Sequence, residues 1–106
     1  MPVFNLTFIE LLKGIQKKPR MYDIRSLREL ELFLSGYYLL LEEDNHIIKF
    51  ETFNSWIKKK HNFQKLNINY VRIIEFISSD SIDSLELFFK EVDIFFKEAN
   101  LEGIFN

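Results

Sequence analysis

Phe8, Leu11, Leu12 and Ile15 recur at the three- and four-residue spacing of a single helix face, which predicts a first helix from about Phe8 to Lys17. Thr7 and Glu10 precede and open it as a capping box, the hydroxyl taking the Glu10 amide and the carboxylate reaching back. Pro19 stops it, since it lacks an amide hydrogen and forces Lys18 out of the helical region. A second box, Ser26 with Glu29, opens a helix predicted to run to Glu43, with Leu30, Phe33, Leu34, Tyr37 and Leu41 as its apolar stripe. Leu32 and Leu39 fall off that stripe and predict burial on a second side, by the fold or by a partner. Gly36 inside this helix costs about 1 kcal/mol relative to Ala, so a close approach of another helix is expected there. The helix would end in Glu42, Glu43 and Asp44, carboxylates at the unfavourable pole of its dipole.

His46 to Phe50 has β-like composition but no strand to pair with, and is predicted as an extended connection that drops Ile48 and Phe50 into the core. A third helix begins at Glu51 or Thr52, faces Phe53, Trp56 and Ile57 inward and closes on Lys58, Lys59, Lys60 and His61. A fourth is expected from about Asn69 to Ser78. A fifth runs from about Ile82 to Ala99, with Leu85, Phe88, Phe89, Val92, Phe95 and Phe96 as its stripe and Leu87 and Ile94 off it. Ile104 and Phe105 are predicted to fold back as a plug. The pattern predicts an all-α fold: one domain over residues 1–106, a compact bundle of about five helices.

Composition sharpens this. Three Gly and two Pro leave little material for the tight turns of an all-β fold, whereas 12 Phe supply an ample core. Fourteen basic against 16 acidic side chains give a net charge of -2, which disfavours coating nucleic acid or an anionic membrane. The absence of Cys fits a reducing cytoplasm. The N-terminus has no basic leader pattern, and the longest apolar run, Tyr37 to Leu41, is far short of the about 20 residues a membrane span needs. A cytoplasmic protein with no membrane partner is expected.

Candidate chemistry is sparse. His46 and His61 have no carboxylate at helical ligand spacing, so no metal site is expected. Ser residues stand at helix starts rather than in a nucleophile elbow, and Gly14, Gly36 and Gly103 are isolated rather than grouped in a phosphate loop. No cofactor and no enzymatic activity are expected. The cations Lys17, Lys18, Arg20, Arg25 and Arg28, with Tyr22 able to stack on a base, define an alternative: a small nucleic-acid-binding or regulatory protein.

The corner Lys18-Pro19-Arg20-Met21-Tyr22 gives the pattern its specificity. It follows Phe8-x-x-Leu11-Leu12-x-x-Ile15 and leads into Ser26-Leu27-x-x-Leu30-x-x-Phe33-Leu34-x-Gly36-Tyr37. Phe53-x-x-Trp56-Ile57, Tyr70-x-x-Ile73-Ile74 and Leu85-x-x-Phe88-Phe89-x-x-Val92-x-x-Phe95 complete it. In this the chain resembles a family of small bacterial proteins encoded beside polymorphic and contact-dependent growth-inhibition toxins and read as their immunity proteins. Tyr70 stands where that family is expected to have Trp, and Arg20 where Gly is common. The resemblance implies a helical protein that neutralises a cognate toxin C-terminal domain by occluding it one-to-one. A nuclease toxin would present a basic groove, and acidic residues would meet it. The expected partner-binding residues are therefore Glu42, Glu43 and Asp44 at the end of the second helix, and Asp80, Asp83 and Glu86 at the start of the fifth. Tyr38, Leu32 and Leu87 would serve as apolar anchors beside them. A homodimer through Leu32, Leu39, Leu87 and Ile94 is a further arrangement the pattern allows.

Overall fold

A computed structural model describes residues 6–40, 43–78 and 81–105, with the side chains of 81–83 left aside. Thr7 caps α1 (Phe8–Lys17) with both halves of the expected box: its hydroxyl accepts from Glu10 N–H, and Glu10 accepts from Thr7 N–H at 3.0 Å. A 3-10 turn (Pro19–Tyr22) makes the basic corner, and Asp23 leaves it in the left-handed region that short polar side chains tolerate. Tyr22 lies half-buried, edge-on to Phe33 at 5.8 Å, whereas Met21 points out; neighbouring Ile24 supplies the core contact.

Ser26 caps α2 (Leu27–Tyr37) by accepting from Glu29 N–H, but its box is only half made, because Glu29 turns its carboxylate to Arg25 N–H at 2.6 Å. The helix ends earlier than expected, passing through a 3-10 turn (Tyr38–Leu40); Leu41 and Glu42 lie outside the described residues. Among the described residues nothing comes within 4 Å of a methyl group placed on Gly36, so no described helix crosses there and the expected close approach is not made.

The stretch expected to be extended is α3 (Asn45–Phe50). Asp44 decides it: its backbone is extended and its side chain accepts from Ile47 N–H, as an N-cap does. With no strand to pair with, two adjacent Ile residues do not prevent a capped helical turn. Its period also replaces Ile48 with Ile47 in the core, beside Phe50.

α4 (Phe53–His61) ends at Asn62, left-handed at φ 66°. Asn69 caps α5 (Tyr70–Ile77), accepting from Val71 and Arg72 N–H. α6 (Ser81–Glu98) is the long central element, against which α2, α4 and α5 pack; α3 packs on α1. The described residues thus form the expected all-α bundle, with no strand: five helices of eight residues or more and the short α3.

Phenylalanines hold the helices together. Phe8, Phe53, Phe88, Phe95 and Phe96 are fully buried, and Phe53 alone pairs with Phe50, Tyr70, Phe88 and Phe95 between 5.2 and 5.9 Å. The chain end docks through Ile104, which is buried, while Phe105 is half exposed. Asp93 Oδ1 accepts from both Ile104 N–H and Phe105 N–H, at 2.7 and 3.1 Å. No helix among the described residues is long and apolar enough to cross a membrane.

Candidate partner-binding surface

Capping chemistry divides the first acidic cluster. Asp44 gives one oxygen to Ile47 N–H at 2.8 Å and the other to Phe8 N–H at 3.4 Å, so a single carboxylate closes α3 and also takes a free amide at the start of α1. Glu43 beside it is exposed, and Glu42 lies outside the described residues. Tyr38 is half-buried with its ring 5.7 Å from Phe8. Burial, reinforced by the charges of Glu51 and Asp44, pushes its hydroxyl up to about 12.

Of the second cluster, Asp80 and the side chain of Asp83 lie outside the described residues. Glu86 is exposed and borders a hollow of about 460 Å³ whose rim also carries Arg25 and Lys90, over Leu85 and Phe89. Two cations therefore share its rim, one of them, Arg25, paired with Asp23. Asp44 sits at the start of α1 and the Glu86 hollow beside Gln16 and Pro19 at its end, so Asp44 and Glu86 lie toward opposite ends of a helix about 15 Å long.

Apolar side chains stand out beside the first cluster and not only within the core. Leu39 is 89% exposed, Leu32 73% and Leu40 53%, all on α2 and the turn that leads to Glu43. Ile94 is also exposed, but Leu87 packs in part against the core, so the four residues of the expected dimer seam are not equally free.

The same region holds a hollow of about 220 Å³ that sequence reasoning missed. Glu31, Tyr38, Phe50, Glu51, Asn54 and Tyr70 line it. Asn69 Nδ2 donates to Glu31 Oε2 at 2.8 Å, and Asn54 Oδ1 accepts from Tyr70 N–H at 2.7 Å, which fixes both walls. Tyr70 is only 8% exposed, and burial, followed by the charge of Glu31 and the neighbouring Tyr38, raises the pKa of its hydroxyl well above the ordinary tyrosine value. Along the sequence Glu31 looks like any outward helix position; only the packing of α2 on α5 sets it beside Tyr70.

The basic corner is partly neutralised. Arg28 makes a two-pronged pair with Glu75, at 2.9 Å for each bond, and Arg25 reaches Asp23 at 3.2 Å, whereas Lys17, Lys18 and Arg20 are exposed. Among the described residues no group of three or more His, Asp and Glu is placed to hold a metal. No family model, curated relative or solved structure matches the chain.

Proposed function

We propose that the chain is an immunity protein, acting in the cytoplasm by occupancy rather than catalysis: it binds a toxin domain of its own lineage, a nuclease in the leading case, and covers the active site. The observation that carries this reading is the exposed run of Leu32, Leu39 and Leu40 leading to Glu43, with half-buried Tyr38 beside it. Apolar anchors inside a charged rim are the usual anatomy of a protein interface. The Lys18 to Tyr22 corner and the Phe33-Leu34-x-Gly36-Tyr37 segment supply the family resemblance that narrows the partner to a toxin. Acidic groups on the rim, Glu43 and Glu51, would speed encounter with a basic groove, and the leucines would set the lifetime of the complex.

Co-expression with the toxin domain encoded beside it tests the reading. A one-to-one complex and restored growth are expected, both lost in Leu39→Asp/Leu40→Asp while the circular dichroism spectrum is unchanged. Absence of both complex and rescue for the unaltered chain would sink it.

A further inference from the structure

We infer that the basic face made by α4, the 62–69 connection and α5 binds single-stranded nucleic acid, an inference that goes beyond the partner-binding reading above and does not depend on it. The net charge of -2 hides a segregation. Residues 52–74 hold Lys58, Lys59, Lys60, Lys65 and Arg72 and neither Asp nor Glu, which leaves nine basic against 16 acidic side chains for the rest of the chain. Such asymmetry within one chain is the electrostatic footprint of an anionic ligand. Of the five cations only Lys60 forms an ion pair among the described residues, with Glu91.

The fold gathers this charge. α4 packs on α5, and Asn54, Lys58, Asn67, Ile68, Asn69 and Arg72 border an open hollow of about 480 Å³ with no carboxylate on its lining. Helix polarity explains the lysines at the end of α4 but not Arg72, a cation in the first turn of α5, the pole that repels it. Asn69 and Asn54 already take the amides of Tyr70, Val71 and Arg72, so an anion here meets side chains rather than a helix end. Phe76 is an independent observation. It stands one turn beyond Arg72 on the same side of α5, 76% exposed, with its ring held by Phe63 at 5.7 Å in an edge-to-face pair. An exposed ring beside unpaired cations is how a single strand is held, bases stacking on the ring and phosphates meeting the charges. Cations alone would suit an acidic protein equally; the ring and the asparagine amides favour a strand of bases.

Fluorescence anisotropy of a labelled oligouridine of about 12 nucleotides, titrated with the full chain, tests the face without any toxin. Binding is expected at about 50 mM salt, with log affinity falling against log salt at a slope of about -2, as for about three phosphate contacts. Lys58→Gln/Arg72→Gln should weaken it at least about tenfold and Phe76→Ala about fivefold or more, each with an unchanged circular dichroism spectrum. No binding, or an unaffected Lys58→Gln/Arg72→Gln variant, would overturn the assignment. So would a loss that falls instead on Lys17→Gln/Lys18→Gln, which would put the strand on the basic corner. Binding that Phe76→Ala leaves intact and that oligoglutamate displaces would give the face to an acidic protein and overturn the nucleic-acid assignment. If the oligouridine binds while no toxin complex forms, the immunity reading falls and this face stands.

Discussion

Lys60 donates to Glu91 at 2.9 Å across the α4–α6 interface, and His61 Nε2 lies 3.6 Å from the other oxygen of the same carboxylate. The Glu91 side chain is 8% exposed and Lys60 35%, so the acid is the buried partner. Removing Lys60 strands that charge. Lys60→Met is expected to cost about 2 kcal/mol, less than the about 3–5 of a fully buried pair because Lys60 is part solvated. Lys60→Met/Glu91→Leu should recover most of the loss. Urea unfolding measures both, and a single variant within about 0.5 kcal/mol of the parent would show the pair to be idle.

The two glycines furthest apart in environment should respond with opposite signs. Gly36 is exposed in α2 with open space around it and ordinary backbone angles, so Gly36→Ala is expected to stabilise by about 0.5–1 kcal/mol through helix propensity. Gly103 is buried; a methyl there would run into Asp93 Oδ1 and come within 2.7 Å of Lys97 Cε, so Gly103→Ala should destabilise by about 1–3 kcal/mol. Thermal melts of the two variants distinguish the cases, and a stabilising Gly103→Ala would refute the close docking of the chain end.

Asp93 makes that docking pH-dependent. Burial works to raise its carboxyl, and the hydrogen bonds from Phe105 N–H, Lys97 and Ile104 N–H together outweigh it, so the group titrates below the ordinary Asp range. A depressed carboxyl stabilises fully above its unfolded value of about 3.9 and loses that contribution as pH falls through the lower folded value. Stability measured from pH 6 downward should therefore fall less steeply in Asp93→Asn than in the parent. Parallel curves would remove Asp93 from the account.

Alkali should act through Tyr38. Tyr38 is raised from about 10 to about 12, chiefly by burial and next by Glu51, so its protonated form stabilises the fold below pH 10 and that contribution is lost as pH rises through 12. Ultraviolet titration of phenolate should show the Tyr38 step moving down in Glu51→Gln, though not to the ordinary tyrosine value, since burial remains. An unmoved step would mean that Glu51 does not face the ring.

What could be read along the chain was local. The Thr7 box, the Pro19 stop, the Asn69 to Ser78 helix and the Phe-rich stripe of α6 depend on neighbours a few residues away, and all are present. The misreadings involved distant or competing partners. Asp44 looked like the end of one helix because the β-like composition after it competed with a local signal, its cap on Ile47 N–H three residues on; its second contact, Phe8 N–H, is 36 residues away. Gly36 suggested a crossing helix, although a glycine's cost gives no direction to its cause. Of the candidate surface, Tyr38 and Glu43 were legible as an aromatic beside an acid; Glu31, Glu51 and Tyr70 were not, because they come from α2, the α3–α4 junction and α5 and meet only through packing.

The neighbouring acids Glu43 and Asp44 also bear on how this face could be retargeted. Asp44 joins the start of α1 to the start of α3, so it is architecture that any redesigned version must keep. Glu43, Leu39, Leu40 and Glu51 project from that frame, exposed, and no main-chain amide depends on them among the described residues. A library confined to these four positions would vary the exposed face on an unchanged scaffold, whereas one that included Asp44 would lose about 0.5–2 kcal/mol of stability with each substitution that removes the cap.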